Sequence, residues 1–486
     1  MIDGKLVLYF LLLACSSILT GHSQHFRPAV QYAIGTFGSN PRQVVTADLN
    51  GDSYLDLITA NYTDQAVGVL RNRGDGTFTK VVAYPLGPQC TPYGLAVGDV
   101  DQDGHPDLVT ANYEAYSVSV LLNKGDGTFS TSHQYPVTSP NGRPKEVVLA
   151  DVNGDRTLDI LTVTLGNPTL SVFLNQGNGR FGPAQSYAYA SSILSTSLTV
   201  TDVNRDGHTD VIIAHFADFN TNANWVSVLL NEGAGKFGPL KSYALGANSA
   251  PFGVTAADVN NDGYPDLLTA NYGTDNVSLL LNDKQGNFMM PVQYATGPGS
   301  QPLSVLFANI TGDGRPALIT ANYGHDAVGI LPAQLNGTGF GPVADVAVGA
   351  GTQPGSVVAA DFDKNGRIDI ATSNSNNGKV SVLLNQLVLA SRNQNFASTM
   401  RAYPNPIVAG GLLCIESAAF PLATTVEIAL FDAAGRHIWT STQPGGLKQL
   451  FVPTQKLSPG WYMLRITNPT SSPAGSWSVT QPIAVQ

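Results

Sequence analysis

Cysteine is scarce, with only Cys15, Cys90 and Cys414 in 486 residues. Three so far apart make no disulfide framework, so stability has to come from something other than cross-links. Charge is scarce too, at 12% of residues, and no basic run or patch points to a nucleic-acid partner. The catalytic signatures HExxH, a P-loop and G-x-S-x-G are absent. The one apolar run of note, Leu6–Ala14 after Lys5, is too short to span a bilayer. It reads as the h-region of a secretory signal, with small residues at Gly21 and Ser23 that place cleavage near Gln24. Residues 1–23 are then the signal peptide. Lipidation at Cys15, closing the run LLAC, is the alternative, and an uncleaved anchor a third. No transmembrane segment is expected in the mature chain.

Glycine (50) and proline (30) are plentiful, which suits a turn-rich β protein. One acidic loop recurs seven times: DLNGDSYLD from Asp48, DVDQDGHPD from Asp99, DVNGDRTLD from Asp151, DVNRDGHTD from Asp202, DVNNDGYPD from Asp258, NITGDGRPA from Asn309 and DFDKNGRID from Asp361. The starts lie 51, 52, 51, 56, 51 and 52 residues apart, a period that marks a structural unit. Each unit carries four short stretches rich in Val, Leu, Thr and aromatics, bounded by Gly, Asn or Asp, as strands are. GDG and GNG turns supply the positive-φ positions of tight hairpins. Four strands in each of seven units predict an all-β fold, a seven-bladed β-propeller over residues 24–386. Closure into a ring also removes exposed sheet edges. Each fourth strand is expected to be a Phe-led run after its turn. The last unit ends at Lys379–Asn385 without one, while FRPAVQYAIG from Phe26 stands alone before the first loop. Phe26–Ile34 is therefore expected to complete the last blade beside Val380–Leu384.

The loops offer oxygen ligands at positions 1, 3, 5 and 9, which is how calcium is bound. The candidate ligands are Asp48, Asn50, Asp52 and Asp56; Asp99, Asp101, Asp103 and Asp107; Asp151, Asn153, Asp155 and Asp159; Asp202, Asn204, Asp206 and Asp210; Asp258, Asn260, Asp262 and Asp266; and Asp361, Asp363, Asn365 and Asp369. Two carboxylates about 5 Å apart repel by about 3 kcal/mol at an effective dielectric near 20, so three or four in one turn would splay the strands without a cation. The seven loops hold 20 of the 35 Asp and Glu, and one divalent ion in each of six would carry the net charge from −10 to about +2. With no Glu at position 12, affinities on the order of 0.1–1 mM are expected. Asn309, Thr311, Asp313 and Ala317 offer one carboxylate, so the sixth loop is expected to bind no calcium. Pro332 removes a ladder donor from the same unit, which should be the least regular.

The D-x-[DN]-x-[DN]-G-x-x-D core with LLNxGDGxF resembles the FG-GAP or VCBS-type repeats of bacterial surface proteins and of the integrin α-subunit propeller. The resemblance covers roughly residues 26–386. It implies a calcium-binding propeller, in a class that serves adhesion, glycan binding and some lyases.

Residues 387–400, with Ser, Asn and Gln, read as a linker, and residues 401–486 as the short strands of a small β-sandwich. YPNP at Tyr403–Pro406, AAGR at Ala433–Arg436 and SPGWYMLRI resemble the C-terminal sorting domain of the type IX secretion system. That implies handling by the secretion machinery and delivery to the outside or outer surface of a Gram-negative cell. The final WSVTQPIAVQ departs from that pattern in lacking basic residues.

Ligand-binding candidates lie on the strand 2–3 connections, opposite the acidic loops: Tyr62, Tyr113, Phe216, Tyr272 and Tyr323, with His215 and Trp225 at the longest one. An aromatic rim suits sugar stacking, and aromatic packing between blades is the structural alternative. An extracellular glycan or surface protein is the expected partner. A polysaccharide lyase or hydrolase using Arg42, Arg143 and Lys145 beside acidic sugars, and a structural surface-layer component, are the other two readings. No catalytic residue is assigned.

Overall fold

The computed structural model describes residues 26–35, 39–138, 142–165, 168–189, 193–217, 224–310, 315–334 and 339–386, and beyond these 401–403, 412–416, 426–432, 436–443, 449–454, 457–467 and 478–485. The expected signal, the linker, most of the YPNP and AAGR motifs, and Thr311 and Asp313 of the sixth loop lie outside them. The chain divides into two compact units, Met1–Gln386 and Leu387–Gln486.

The first blade shows why these residues form these strands. Its four strands are Pro41–Ala47, Asp56–Asn61, Ala66–Leu70 and Val82–Pro85. Every residue of DLITAN and AVGVL is buried, because both faces of the middle strands pack against neighbouring blades. Such strands read as continuous apolar runs, not as alternation. VAYP is exposed at three of its four positions and forms the outer edge. In the turn before it, Gly74 and Gly76 have φ of +87° and +75°, a region that side chains with a Cβ avoid.

Seven antiparallel four-stranded sheets repeat this order. Their first strands, from Pro41–Ala47 to Pro354–Ala360, neighbour one another in a closed cycle around a central channel. Seven apolar clusters each draw on two adjacent blades, so the core of this unit lies between sheets.

Closure comes from the N-terminal run. Val30–Ala33 pairs antiparallel with Lys379–Leu383 in the register Val30↔Val382 to Ala33↔Lys379, and Phe26 bridges Asn385. The Phe of each turn differs from expectation. It makes a single bridge to the end of the third strand, as in Asn72↔Phe78 and Asn123↔Phe129, and the fourth strand begins four residues later. Its ring takes the edge of a Tyr from the preceding blade. Tyr84–Phe129, Tyr135–Phe181, Tyr187–Phe237, Tyr243–Phe288 and Tyr294–Phe340 are all T-shaped at 5.1–5.5 Å. Tyr32–Phe78, also 5.5 Å, carries the pattern across the closure. Each such pair contributes about 0.5–1.5 kcal/mol beyond area burial.

Blade six departs from this frame. Ala317 replaces the ninth-position Asp, Ala333 the Asn that follows the third strand, and Val346 the fourth-strand Tyr. Pro332 still pairs with Ala317 at the end of the ladder.

In the second unit, a sheet of Arg401–Tyr403, Leu412–Glu416 and Gln449–Pro453 accompanies one of His437–Gln443, Val426–Asp432, Gly460–Thr467 and Ser478–Val485. Leu413, Ile415 and Val452 share a core with Ile428, Leu430, Leu464 and Ile466, which makes this a β-sandwich. Cys90 and Cys414 are buried free thiols.

Deleting residues 24–36 is expected to open the ring and abolish cooperative thermal unfolding. A melting curve unchanged by the deletion would refute closure by this strand.

Candidate functional site

The acidic loops sit between the first and second strands. Positions 4 and 6 carry positive φ throughout the six acidic loops, as at Gly51 and Ser53 (+75°, +68°) and at Gln102 and Gly104 (+63°, +89°). These turns aim backbone N–H groups at the position 1 carboxylate. Its Oδ2 accepts from the position 6 N–H at 2.7–2.9 Å in every one: Asp48, Asp99, Asp151, Asp202, Asp258 and Asp361. The position 5 side chain accepts from the N–H two residues on, as Asp103 does from His105 at 2.9 Å. Repulsion alone therefore misdescribes these loops, because main-chain donors already hold much of the negative charge.

The ninth residue does something the spacing did not reveal. Asp56, Asp107, Asp159, Asp210, Asp266 and Asp369 are all fully buried. One oxygen of each accepts the N–H of loop position 2, and the other the N–H of the Asn after the third strand. For Asp107 the donors are Val100 at 2.9 Å and Asn123 at 2.7 Å; for Asp369 they are Phe362 at 2.8 Å and Asn385 at 2.6 Å.

That Asn reaches across to the next sheet. Asn123 Nδ2 donates to Pro106 O of its own loop at 3.0 Å and to Leu49 O of the preceding blade at 2.9 Å. Asn72, Asn175, Asn231, Asn282 and Asn385 make the same inter-blade bond, to Phe362 O, Val100 O, Val152 O, Val203 O and Ile310 O at 2.7–2.9 Å. Ala333 leaves only the blade five–six junction without it. The signal was present in the recurring LLN, but its reach to another repeat is a tertiary fact.

Two loops bring carboxylates together most closely. Oxygens of Asp99, Asp101 and Asp107, and of Asp361, Asp363 and Asp369, lie within 4.8 Å of one another. Two oxygens on opposite sides of a calcium ion are at most about 5 Å apart, and each carboxylate oxygen keeps a lone pair after accepting one N–H. The donor set is all oxygen, so both clusters fit a hard divalent cation. Burial, with the neighbouring Asp103 and Asp99, raises the Asp101 carboxyl above its ordinary value. In loops one, three, four and five an Asn stands at position 3, and its amide donates to the position 5 Asp: Asn50–Asp52, Asn153–Asp155, Asn204–Asp206 and Asn260–Asp262, at 2.8–3.2 Å.

Burial pushes Asp56, Asp107, Asp159 and Asp210 up to about 6 and Asp369 up to about 7, and raises Asp266, against the pull of their two N–H donors. The metal-free folded state thus keeps protons that the unfolded chain releases near pH 4. Stability of chelator-treated protein is expected to fall as pH rises from about 4 to about 7; a steady rise over that range in urea titrations would contradict this. Asn123→Ala, which removes four side-chain hydrogen bonds, to Leu49 O, Pro106 O and the N–H groups of Gly125 and Gly127, is expected to cost about 2–4 kcal/mol in the same measurement.

The opposite face gathers the other candidates around the channel mouth. Tyr62, Tyr93 and Tyr113 form a ring cluster with centroids 5.9–6.3 Å apart. Phe252 joins Phe216 at 6.1 Å and Tyr272 at 5.2 Å. The aromatics therefore pack between blades and border the channel at once, and Tyr272 and Tyr323 line its wall. Lys145 and Arg42 enter the cavity. Arg143 instead stacks on Tyr113 at 5.0 Å and pairs with Glu114 at 3.4 Å.

His215 and Trp225 need correction. His215 is fully buried in contact with Tyr189 and Trp225, and burial drives its imidazole down to about 3. It presents nothing to a ligand. Trp225 opens the third strand of its blade, paired with His215 and Ala244, and is half-buried. His215 stands where Asn61 and Asn112 end the second strands of their blades, and Trp225 where Ala66 and Ser117 open the third.

Fold and loops define a seven-bladed propeller of acidic-loop repeats with an appended β-sandwich. The chain belongs to the FG-GAP-like repeat family, whose model matches six overlapping segments: 48–110, 99–162, 161–213, 202–269, 258–320 and 310–372. Residues 401–475 match the secretion system C-terminal sorting domain. The protein is therefore exported by type IX secretion and is secreted or held at the cell surface. Cartilage acidic protein 1 of Xenopus tropicalis is 22% identical over 331 residues, 60% of this chain. The chain covers 49% of that relative's length. Among solved structures, BBS1N in complex with ARL6DN, in a mercury-soaked crystal, is similar at TM-score 0.52 and 12% identity, over 75% of this chain and 98% of that one. A Lactobacillus plantarum protein gives 0.45 at 11% identity, over 87% of this chain and all of the other. Among the described residues no helix is long and apolar enough to cross a membrane.

Proposed function

We propose that this exported propeller binds an extracellular glycan or surface protein through its channel-mouth face, while calcium in the loops of the other face stiffens the ring. The observation that carries the calcium half is the convergence of Asp99, Asp101 and Asp107, and of Asp361, Asp363 and Asp369, within 4.8 Å. When bound, calcium would supply charge neutralisation and no catalysis. The chain's own N–H donors and ninth-position carboxylates hold each loop in shape around it. Loops two and seven are the strong seats, and the four loops with Asn at position 3 are weaker. The sixth loop takes no ion. The binding half is supported by the aromatic side chains of Tyr93, Phe252, Tyr272 and Tyr323, which line a cavity of about 570 Å³. Extracellular delivery places that surface where glycans and surface proteins are.

A second reading, a polysaccharide lyase, is favoured by one observation. In the channel wall burial lowers Lys145 to about 7 and raises Glu146 to about 7, which brings an amine and a carboxyl into the range suited to proton transfer.

Calcium titration is expected to resolve two tighter and about four weaker sites, with Asp101→Asn and Asp363→Asn each removing one tight site; six equivalent sites would refute the ranking. Chelation should also lower the melting temperature. On a glycan array the exported protein is expected to bind specifically and lose that binding with chelator. Appearance of unsaturated sugar product would favour the lyase, and no binding would favour a structural surface component.

A further inference from the structure

Each first strand carries a β-bulge near its start, where the register slips against the second strand. The extra residue is Arg42 (with Gln43) in blade one, then Tyr93, Lys145, Thr196, Phe252, Leu303 and Gly355. A bulge re-aims its residue out of the ladder, and all seven line the same channel cavity of about 570 Å³. The frame around them repeats, with a proline just before the bulge in six blades. The bulge residue itself differs in every blade. Packing demands recur with the blade, so a position that changes within a constant frame answers to something other than packing.

Two of these residues are cations in an apolar setting. Lys145 is only 5% exposed. Its Nζ lies 5.3 Å from the Tyr93 ring centre and 4.6 Å from that of Phe252, and it has no hydrogen bond or ion pair among the described residues. The Arg42 guanidinium lies 5.1 Å and 4.9 Å from the Tyr62 and Tyr93 ring centres, and its buried Nε has no partner among the described residues. The only carboxylate among the described residues in this cavity wall, Glu146, is already engaged by Gln43 Nε2 at 3.0 Å. Burying an ammonium against ring faces, with Glu146 as its one carboxyl neighbour in the wall and no direct hydrogen bond to it, is unfavourable, and an incoming anion would offset that. Gly94 helps to seat the lysine, because a Cβ there would stand 2.8 Å from the Lys145 carbonyl oxygen.

We propose that the channel mouth takes the carboxylate of an acidic sugar, with Lys145 and Arg42 as its cationic partners. This deepens the glycan-binding reading and rests on it. A sugar suits the cavity better than an acidic peptide. Thr255, Ser304 and Ser356 line its wall with hydroxyls, Glu146 can accept from sugar hydroxyls, and Tyr272 and Tyr323 add aromatic surface. The volume falls within the range of small-ligand pockets.

The test is calorimetric titration of the exported full chain, at fixed calcium, with trigalacturonate, its methyl ester and triglutamate. Trigalacturonate is expected to bind, and to bind Lys145→Met about thirtyfold more weakly, while the uncharged ester does not bind. Equal affinity for the variant, equal affinity for the ester, or no binding of trigalacturonate overturns the proposal. Preference for triglutamate overturns it in favour of a protein partner. Should Lys145→Met fail to fold, the unaltered protein still decides. Trigalacturonate should slow reductive methylation of Lys145, read by mass spectrometry, and an unchanged rate overturns the assignment. Neutral glycans bound on the array without regard to Lys145 would leave glycan binding standing and remove only this inference. Silence towards every glycan would remove both.

Discussion

A carboxylate buried at the ninth loop position holds together three parts of a blade. It takes the N–H of the loop's second residue with one oxygen and the N–H of the Asn after the third strand with the other, as Asp107 does with Val100 and Asn123. That Asn then spends its amide on a carbonyl of the blade before. Local loop shape and the seam between sheets are thereby coupled through two side chains. Burying a carboxylate is unfavourable without such donors, which is why Asp and Asn stand or fall together. Where Ala317 replaces the one, Ala333 replaces the other.

The two faces of the ring follow opposite rules. On the loop face the residues repeat, because each blade meets the same neighbour at the same angle and needs the same bonds. At the channel mouth they vary, from Arg42 through Lys145 to Gly355, because seven blades jointly enclose one asymmetric cavity. A repeat array closed into a ring naturally separates stability from recognition in this way. The constant positions hold the ring, and the positions free to vary can serve a ligand.

Much of this was legible in the sequence. The period, the four apolar stretches per unit and the solitary FRPAVQYAIG segment led to seven blades and to the closing strand, because strand burial and hairpin turns are governed by short-range patterns. The acidic side chains at positions 1 and 3 were legible as candidate ligands for the same reason. Less legible was the division of labour inside the loop. Spacing could not distinguish Asp107, fully buried with one main-chain N–H on each oxygen, from the exposed Asp103 four residues earlier. His215 and Trp225 flank the insertion that lengthens this repeat, and only their pairing with each other places them in strands.

The sequence by itself determined what depends on residues near one another along the chain: strands, tight turns, acidic loops, their number and the terminal sorting module. Only the tertiary structure decided which residues meet across repeats. The bulge that turns Lys145 towards the rings of Tyr93 and Phe252 brings together residues from three blades, the furthest over a hundred positions away. No local pattern encodes such a meeting, because it follows from ring closure, and closure is a property of the whole set of blades.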